Sequence, residues 1–462
     1  MFDSIIYSQR RKNLLQKISN GIILFPGNNN VPRNFGSMSY PFRQDSSFLY
    51  YWGLDFPNLS ALIDTETNEE IIFGDDRPVD DIVWMGPDTP MVEKAENVGV
   101  SVVKPGFDLK EYLTTAISNG KKIHYLPQYR SENVLFLSEL LGINPAYVNK
   151  YVSNELIKAV ADQRSVKSGE EVMEIEKALD ISYEMYITAM KMIREGLTEK
   201  EVCGHIESIA NIRGAGVSFG TILSVRGEIL HNESYNNTMQ NGDMVLLDSG
   251  AETDMHYASD ITRVIPVSGK FSDRQKEIYN VVLNSQLKAI KMIKPGIKYK
   301  DIHLTAAKVI ADGLKQLGLM KGDISSAVEQ GAHALFFPHG LGHMMGLDVH
   351  DMESLGEDYI GYDDKVKRSN QFGLAYLRLG KELKEGYVLT VEPGVYFIPA
   401  LIDQWKNENK FAGFIDYDEV EKYRNFGGIR IEDDILVTGD GYRVLGKPIP
   451  KTVEEVEEYC GK

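Results

Sequence analysis

The stretch that decides the fold is Met244–Pro266, MVLLDSGAETDMHYASDITRVIP. An apolar run, Met244-Val245-Leu246-Leu247, ends on a carboxylate at Asp248. A polar turn with Gly250, Thr253 and Asp254 follows. A β-branched run, Ile261-Thr262-Arg263-Val264-Ile265, then opens on a second carboxylate, Asp260. Two such runs around a short polar connection predict paired strands. The pairing sets both carboxylates near the mouth of a sheet, where burial is unfavourable unless positive charge compensates. Arg or Lys neighbours can supply that charge, and so can a metal. For this pair taken alone, two solvated loop caps are the plainer reading.

Outward from this hairpin, 462 residues are too many for one ordinary core, so two domains are expected. Hydrophobic residues at 43% and charged residues at 25% describe a soluble globular protein. A net charge of −17 argues against nucleic acid as a partner. Cys203 and Cys460 are the only cysteines, which leaves no disulfide framework and no thiolate cluster for zinc. The N-terminus lacks a signal-peptide core, and no window has the length of a membrane span. The expected location is cytoplasmic, with no membrane partner.

Residues 1–163 alternate strand and helix patterns as an α/β domain. A helix is expected over Ser4–Ile18, strands over Gly21–Phe25, Val100–Val103 and Lys122–Leu126, a hairpin from Ala61–Ile63 to Glu70–Phe73, and a helix over Ser131–Leu141. The aromatic stretch Phe42–Trp52 reads as core or interface. The boundary falls near Asp162–Lys167, and residues 164–462 form the second domain. Three helix starts there carry capping signals: Ser168-Gly169-Glu170-Glu171, Thr198-Glu199-Lys200-Glu201 and Ser272-Asp273-Arg274-Gln275. The first helix is expected to end at Gly196 and the third to reach Lys294. A fourth runs from Lys298 to about Gly318, and the chain beyond about 330 is expected to be mostly strand and loop. The second domain is therefore α+β.

Three further sites join the Asp pair. His339, His343 and His350 fall within twelve residues of a chain with nine His. Gly340 and Gly342 disfavour a helical zinc motif there and favour a loop whose backbone approaches a site. An apolar strand Val388–Val391 ends at Glu392, and Pro393 is expected to stop its pairing. In Gly427–Val437, strand periodicity puts Arg430, Glu432 and Asp434 on one face, with a salt bridge from Arg430 as the simpler alternative. Together these supply two Asp, two Glu and one or more His. Hard oxygen donors with an imidazole suit Mn²⁺, Co²⁺ or similar ions. Four carboxylates exceed what one ion needs. Two ions with bridging carboxylates sit about 3.5–4 Å apart, and water held between them becomes a nucleophile near neutral pH.

At this point the residues resemble the prolidase and aminopeptidase P family of dinuclear-metal "pita-bread" Xaa-Pro peptidases. The resemblance covers nearly the whole chain. It implies a creatinase-like α/β domain over 1–163, and over 164–462 a pita-bread catalytic domain, a curved, mostly antiparallel sheet flanked by helices. Asp248, Asp260, His343, Glu392 and Glu432 match the family's metal ligands in order. His231, in Ile229-Leu230-His231-Asn232-Glu233, matches a substrate-contacting His. His339 and His350 match the other active-site His, and Arg430 an Arg two residues before the last ligand. Arg378 resembles the prolidase Arg that holds a dipeptide's carboxylate. The resemblance implies two divalent ions, Mn first and Co or Zn as alternatives, and a homodimer. The implied reaction is hydrolysis of Xaa-Pro dipeptides by a metal-bridged hydroxide, with Glu392 handling the proton and His339 and His350 stabilising the oxyanion. Aminopeptidase P activity on longer proline-containing peptides is the alternative, and a non-catalytic binding module on the same fold is a distant one. The stretch between the two Asp is one residue longer than in several relatives, and a bulge is expected to absorb it.

Overall fold

The structure, a computed structural model, describes residues 1–460. The chain divides into two compact units, one of Met1–Arg164 with Met352–Tyr359, the other of Ser165–Asp351 with Ile360–Lys462. Both mix helices with sheets, an α+β architecture.

In the first unit a five-stranded sheet runs in the order Val102–Lys104, Glu69–Phe73, Ser60–Asp64, Ile22–Pro26, Ile123–His124. The three central strands are antiparallel and the two outer ones pair in parallel. Ile22, Leu24, Leu62, Ile71 and Phe73 alternate onto one face and pack on Leu109, Leu113 and Leu137 of two helices. The aromatic stretch is core: every residue of the Ser46–Trp52 helix is buried. Arg11 lies under it, donating to the Tyr51 carbonyl and resting 4.9 Å from the Trp52 ring.

The second unit is built on long helices with sheet between them. Capping boxes at Ser168/Glu171, Thr198/Glu201 and Ser272/Gln275 start the helices Gly169–Met192, Glu199–Arg213 and Asp273–Ile290. Each pair satisfies backbone N–H groups that the first turn leaves open. The third helix stops four residues short of Lys294.

Met244–Ser249 and Ile261–Pro266 pair antiparallel over six residues, and Ile222–Ser224 flanks the first. The expected bulge is absent: the register runs without a shift from Met244–Pro266 to Ser249–Ile261. The connection instead turns at Thr253–Tyr257, with His256 in the left-handed region at φ 65°. Tyr186, on the long first helix, pins the strand ends. Its hydroxyl accepts from the Ser249 N–H at 3.0 Å and donates to the Ile261 carbonyl.

Two further features add to the sequence reading. Pro393 ends the Val388–Val391 strand and its three-stranded sheet, and pairing resumes at once in a separate two-stranded sheet, Gly394–Tyr396 with Gly428–Arg430. The two strands flank Pro393, so its missing N–H is not needed by either ladder. The region after 330 also holds helices at Pro399–Asn407, Tyr417–Glu421 and Val453–Tyr459. The last carries a Thr452/Glu455 capping box, a local signal present in the sequence.

Candidate metal centre

The hairpin ends, the Val388–Val391 strand end and the Gly428–Val437 segment converge. Asp260, His343 and Glu432 each offer a ligand atom within 4.8 Å of the others, and all three are buried. Their buildup is local. Thr262, opposite Asp248 in the hairpin, bridges by backbone to Glu432, whose N–H donates to the Thr262 carbonyl at 3.1 Å. The Thr262 hydroxyl donates to Glu432 Oε2 at 2.7 Å and accepts from Arg430 Nε at 3.1 Å. His343 rides on a loop held by Thr390, through His343 N–H to Thr390 Oγ1 at 3.2 Å and Thr390 N–H back to the His343 carbonyl at 3.0 Å. Gly342 permits this approach, since a Cβ there would lie 2.1 Å from the Thr390 carbonyl oxygen.

The His343 ring fixes its own tautomer. Nδ1 lies 3.1 Å from the Met344 carbonyl, which can only accept, so Nδ1 carries the proton. Nε2 then turns its lone pair toward carboxylates, 3.4 Å from Asp260 Oδ2 and 3.8 Å from Glu392 Oε1. A lone pair facing two carboxylates is repulsive unless a proton or a cation lies between them.

The carboxylates report the same imbalance. Burial, reinforced by Glu432, Asp248, Asp434 and Glu392, pushes Asp260 well above the usual carboxylate range. Burial with Glu392 and Asp248 does the same to Glu432. Burial raises Glu392 to about 7 against the opposing pull of Arg430. Asp248 is the exception in its contacts, for Arg430 Nη2 donates to its Oδ2 at 2.5 Å. Even so, Asp248 Oδ1, Asp260 Oδ1, Glu432 Oε1 and Asp434 Oδ1 are buried acceptors with no hydrogen-bond donor. Buried polar atoms are almost always satisfied, and anionic ones with no donor are the costliest exception. Acidic oxygens around an imidazole lone pair are a donor set that fits a divalent cation.

The remaining sequence-predicted residues surround this centre. His350 packs edge-on against the His343 ring at 4.3 Å between centroids. His339 has both nitrogens engaged, Nδ1–H with the Gly340 carbonyl at 2.8 Å and Nε2 with the Tyr396 hydroxyl at 2.9 Å. A role as oxyanion donor therefore requires one of those bonds to open. Burial, with Arg430 next, lowers its pKa to about 3, so the ring is neutral. His231 is lowered by burial and by the charges of Arg430 and Arg378, which places it and Arg378 within electrostatic reach of the cluster. Sequence reading missed Tyr396 and Thr262. Tyr396 accepts from Arg430 Nη1 at 2.7 Å and so links Arg430 to His339. A hydroxyl in an apolar strand carries no signal of its own, and each partner comes from a distant segment.

With this geometry in view, the relatives are informative. Residues 173–439, more than half of the chain, match the model of metallopeptidase family M24, and residues 7–125 match the aminopeptidase P N-terminal domain. The chain belongs to metallopeptidase family M24. This M24 chain is 31% identical to the human Xaa-Pro dipeptidase, covering 94% of this chain and 88% of that one. It is 32% identical to a probable Xaa-Pro aminopeptidase of Uncinocarpus reesii, covering 95% and 89%. Among solved structures, aminopeptidase PepP of Pseudomonas aeruginosa superposes with a TM-score of 0.82 at 28% identity, covering 99% of this chain and 98% of that one. Zinc-substituted Escherichia coli aminopeptidase P in complex with product gives the same values. The fold is that of aminopeptidase P, an N-terminal domain followed by an M24 catalytic domain. No helix among the described residues is long and apolar enough to cross a membrane.

Proposed function

We propose that this metallopeptidase hydrolyses the Xaa-Pro bond as an Xaa-Pro dipeptidase. The observation that carries the reading is the cluster of buried acidic oxygens without donors around the His343 lone pair. Asp248, Asp260, His343, Glu392 and Glu432 would hold two divalent ions, Mn²⁺ first and Co²⁺ or Zn²⁺ as alternatives. Such ions lower the pKa of water and polarise a carbonyl. The chain does the rest. An Xaa-Pro bond has no amide N–H, so it needs a pocket that does not pair with one. Glu392 accepts the proton of the attacking water and returns it to the leaving proline nitrogen. His231, His339 and His350 contact the substrate, and the latter two face the oxyanion as the carbonyl becomes tetrahedral. Arg430 fixes Asp248. Arg378, within reach of His231 and Glu392, holds the dipeptide's carboxylate.

Xaa-Pro aminopeptidase activity is the second reading, favoured by the relatives of that name. We assign residues 1–163 to the N-terminal domain and 164–462 to the catalytic one, in keeping with the segments matched by the two family models. A homodimer is supported by the Val79–Met85 segment, none of whose residues is buried and whose Trp84 is 86% exposed. A cytoplasmic location accords with two unpaired cysteines. The test is cleavage of the Ala–Pro bond, read as free proline from Ala-Pro and as the Pro-Ala product from Ala-Pro-Ala, with Mn²⁺ and after chelation. The reading expects chelator-sensitive cleavage, faster on the dipeptide, and selective loss of dipeptide turnover in Arg378→Ala. Cleavage that survives chelation, or equal turnover of both peptides, contradicts it.

A further inference from the structure

His231 sits on a loop between Val225 and Asn237, and one side chain holds both ends of that loop. Glu199 is fully buried and opens the Glu199–Arg213 helix. Its Oε1 accepts the Val225 N–H at 2.9 Å, and its Oε2 accepts the Asn237 N–H at 3.0 Å. The Asn237 amide Nδ2 adds a donor to each oxygen at 3.0 Å. Four donor contacts and the N-terminus of its own helix stabilise the buried charge. Between the ends, Asn232, the neighbour of His231, donates through Nδ2 to the buried Ser224 hydroxyl at 2.8 Å. Gly227 meets Gly428, at the start of the strand that carries Arg430, so closely that a Cβ on Gly227 would lie 2.7 Å from the Gly428 carbonyl oxygen.

We propose that Glu199 is a positioning residue for His231, a carboxylate clamp that joins the two ends of the loop and so sets where the imidazole stands. The proposal rests on the Xaa-Pro reading only in giving that imidazole a substrate to meet. A carboxylate is needed because it presents acceptors on both atoms. Glutamine must turn an NH₂ toward one of the two backbone donors, and one end of the loop is released. Asn237→Ala removes the side-chain donor alone and gives a gentler version of the same lesion.

The experiment is a double-mutant cycle with a spectroscopic arm. Glu199→Gln is expected to lower kcat/KM on Ala-Pro about tenfold, as misplacement of a substrate-contacting group does, and Asn237→Ala less. In a His231→Ala background the same Glu199→Gln change is expected to add under about twofold, because coupled residues do not add. In the ring Cε1–H spectrum of the full-length protein, the His231 signal, assigned by its loss in His231→Ala, shifts or broadens in Glu199→Gln while the signals of His124 and His205 hold. A full tenfold loss in the His231→Ala background, a general shift of the histidine signals, or an unmoved His231 signal overturns the proposal. If the wild-type protein cleaves no Xaa-Pro peptide, the functional reading fails, and the His231 signal still decides the clamp.

Discussion

Glu432, Asp433 and Asp434 are consecutive, buried and acidic, yet they meet opposite surroundings. Asp433 turns to one side, where Arg263 Nη2 stands 2.7 Å away, Lys451 Nζ 2.6 Å away and Gln286 Nε2 2.9 Å away. Burial alone would raise its pKa, but Arg263 and Lys451 hold it below the usual carboxylate range. Glu432 and Asp434 turn to the other side, where each keeps an oxygen without a donor and burial drives the pKa well up. Asp434 Oδ2 accepts only the Asp260 N–H, at 3.1 Å. One side of the segment carries its own cations. The other leaves buried acceptors for a cation that the chain does not contain. The chain can therefore compensate a buried carboxylate one residue away from where it does not, which marks the uncompensated side as the candidate metal site.

This contrast predicts opposite signs for neighbouring substitutions. The largest effect is expected for Asp433→Asn, which leaves Arg263 buried without its anion and should lower unfolding stability by about 3–5 kcal/mol in urea titrations. Glu432→Gln should do the reverse in metal-free protein, raising stability by about 2 kcal/mol at neutral pH by removing a carboxyl that must take up a proton to be buried, while hydrolysis with metal falls by about a hundredfold or more. Equal destabilisation by both substitutions would erase the contrast.

A smaller effect is expected in pH. The folded-state pKa of Asp260, Glu432 and Glu392 is raised, so their contribution is fully present below the unfolded values near 4 and is lost as pH rises through the folded ones, about 7 for Glu392. Metal-free stability should therefore fall between pH 5 and 7 by about 1.4 kcal/mol per pH unit for each such group. Asp433, with its lowered pKa, contributes fully throughout that window and loses its share only as pH falls below the ordinary aspartate value near 3.8. Saturating Mn²⁺ should remove the downward slope, because the ions need the carboxylates ionised. Thermal melts at several pH values, with and without Mn²⁺, measure this directly. A flat metal-free profile would count against the raised pKa values.

Much of this was legible in local sequence signals. The Asp248–Asp260 hairpin, the Ser60–Asp64/Glu69–Phe73 hairpin and the three capping boxes are set by residues close in sequence, and pattern reading finds such things. The alternation of Arg430, Glu432 and Asp434 toward one place survives a break in the strand after Arg430, because Glu432 keeps a backbone bridge of its own to Thr262. The partners were not legible. Thr262 and Glu432 are 170 residues apart, as are Arg263 and Asp433. No local rule says that Asp433 finds an Arg while Asp434 does not. The bulge expected between Asp248 and Asp260 is absent for a related reason. The strands keep their register because both faces of the hairpin are buried, and the irregularity moves to the connection.

The most direct test is a count of bound metal. Full-length protein loaded with Mn²⁺ at neutral pH, desalted and analysed by elemental mass spectrometry, should retain two ions per chain, and Asp260→Asn or Glu432→Gln should retain fewer. Retention of no ion by the wild-type protein, or unchanged retention by both variants, would contradict the assignment of these buried oxygens to a metal centre.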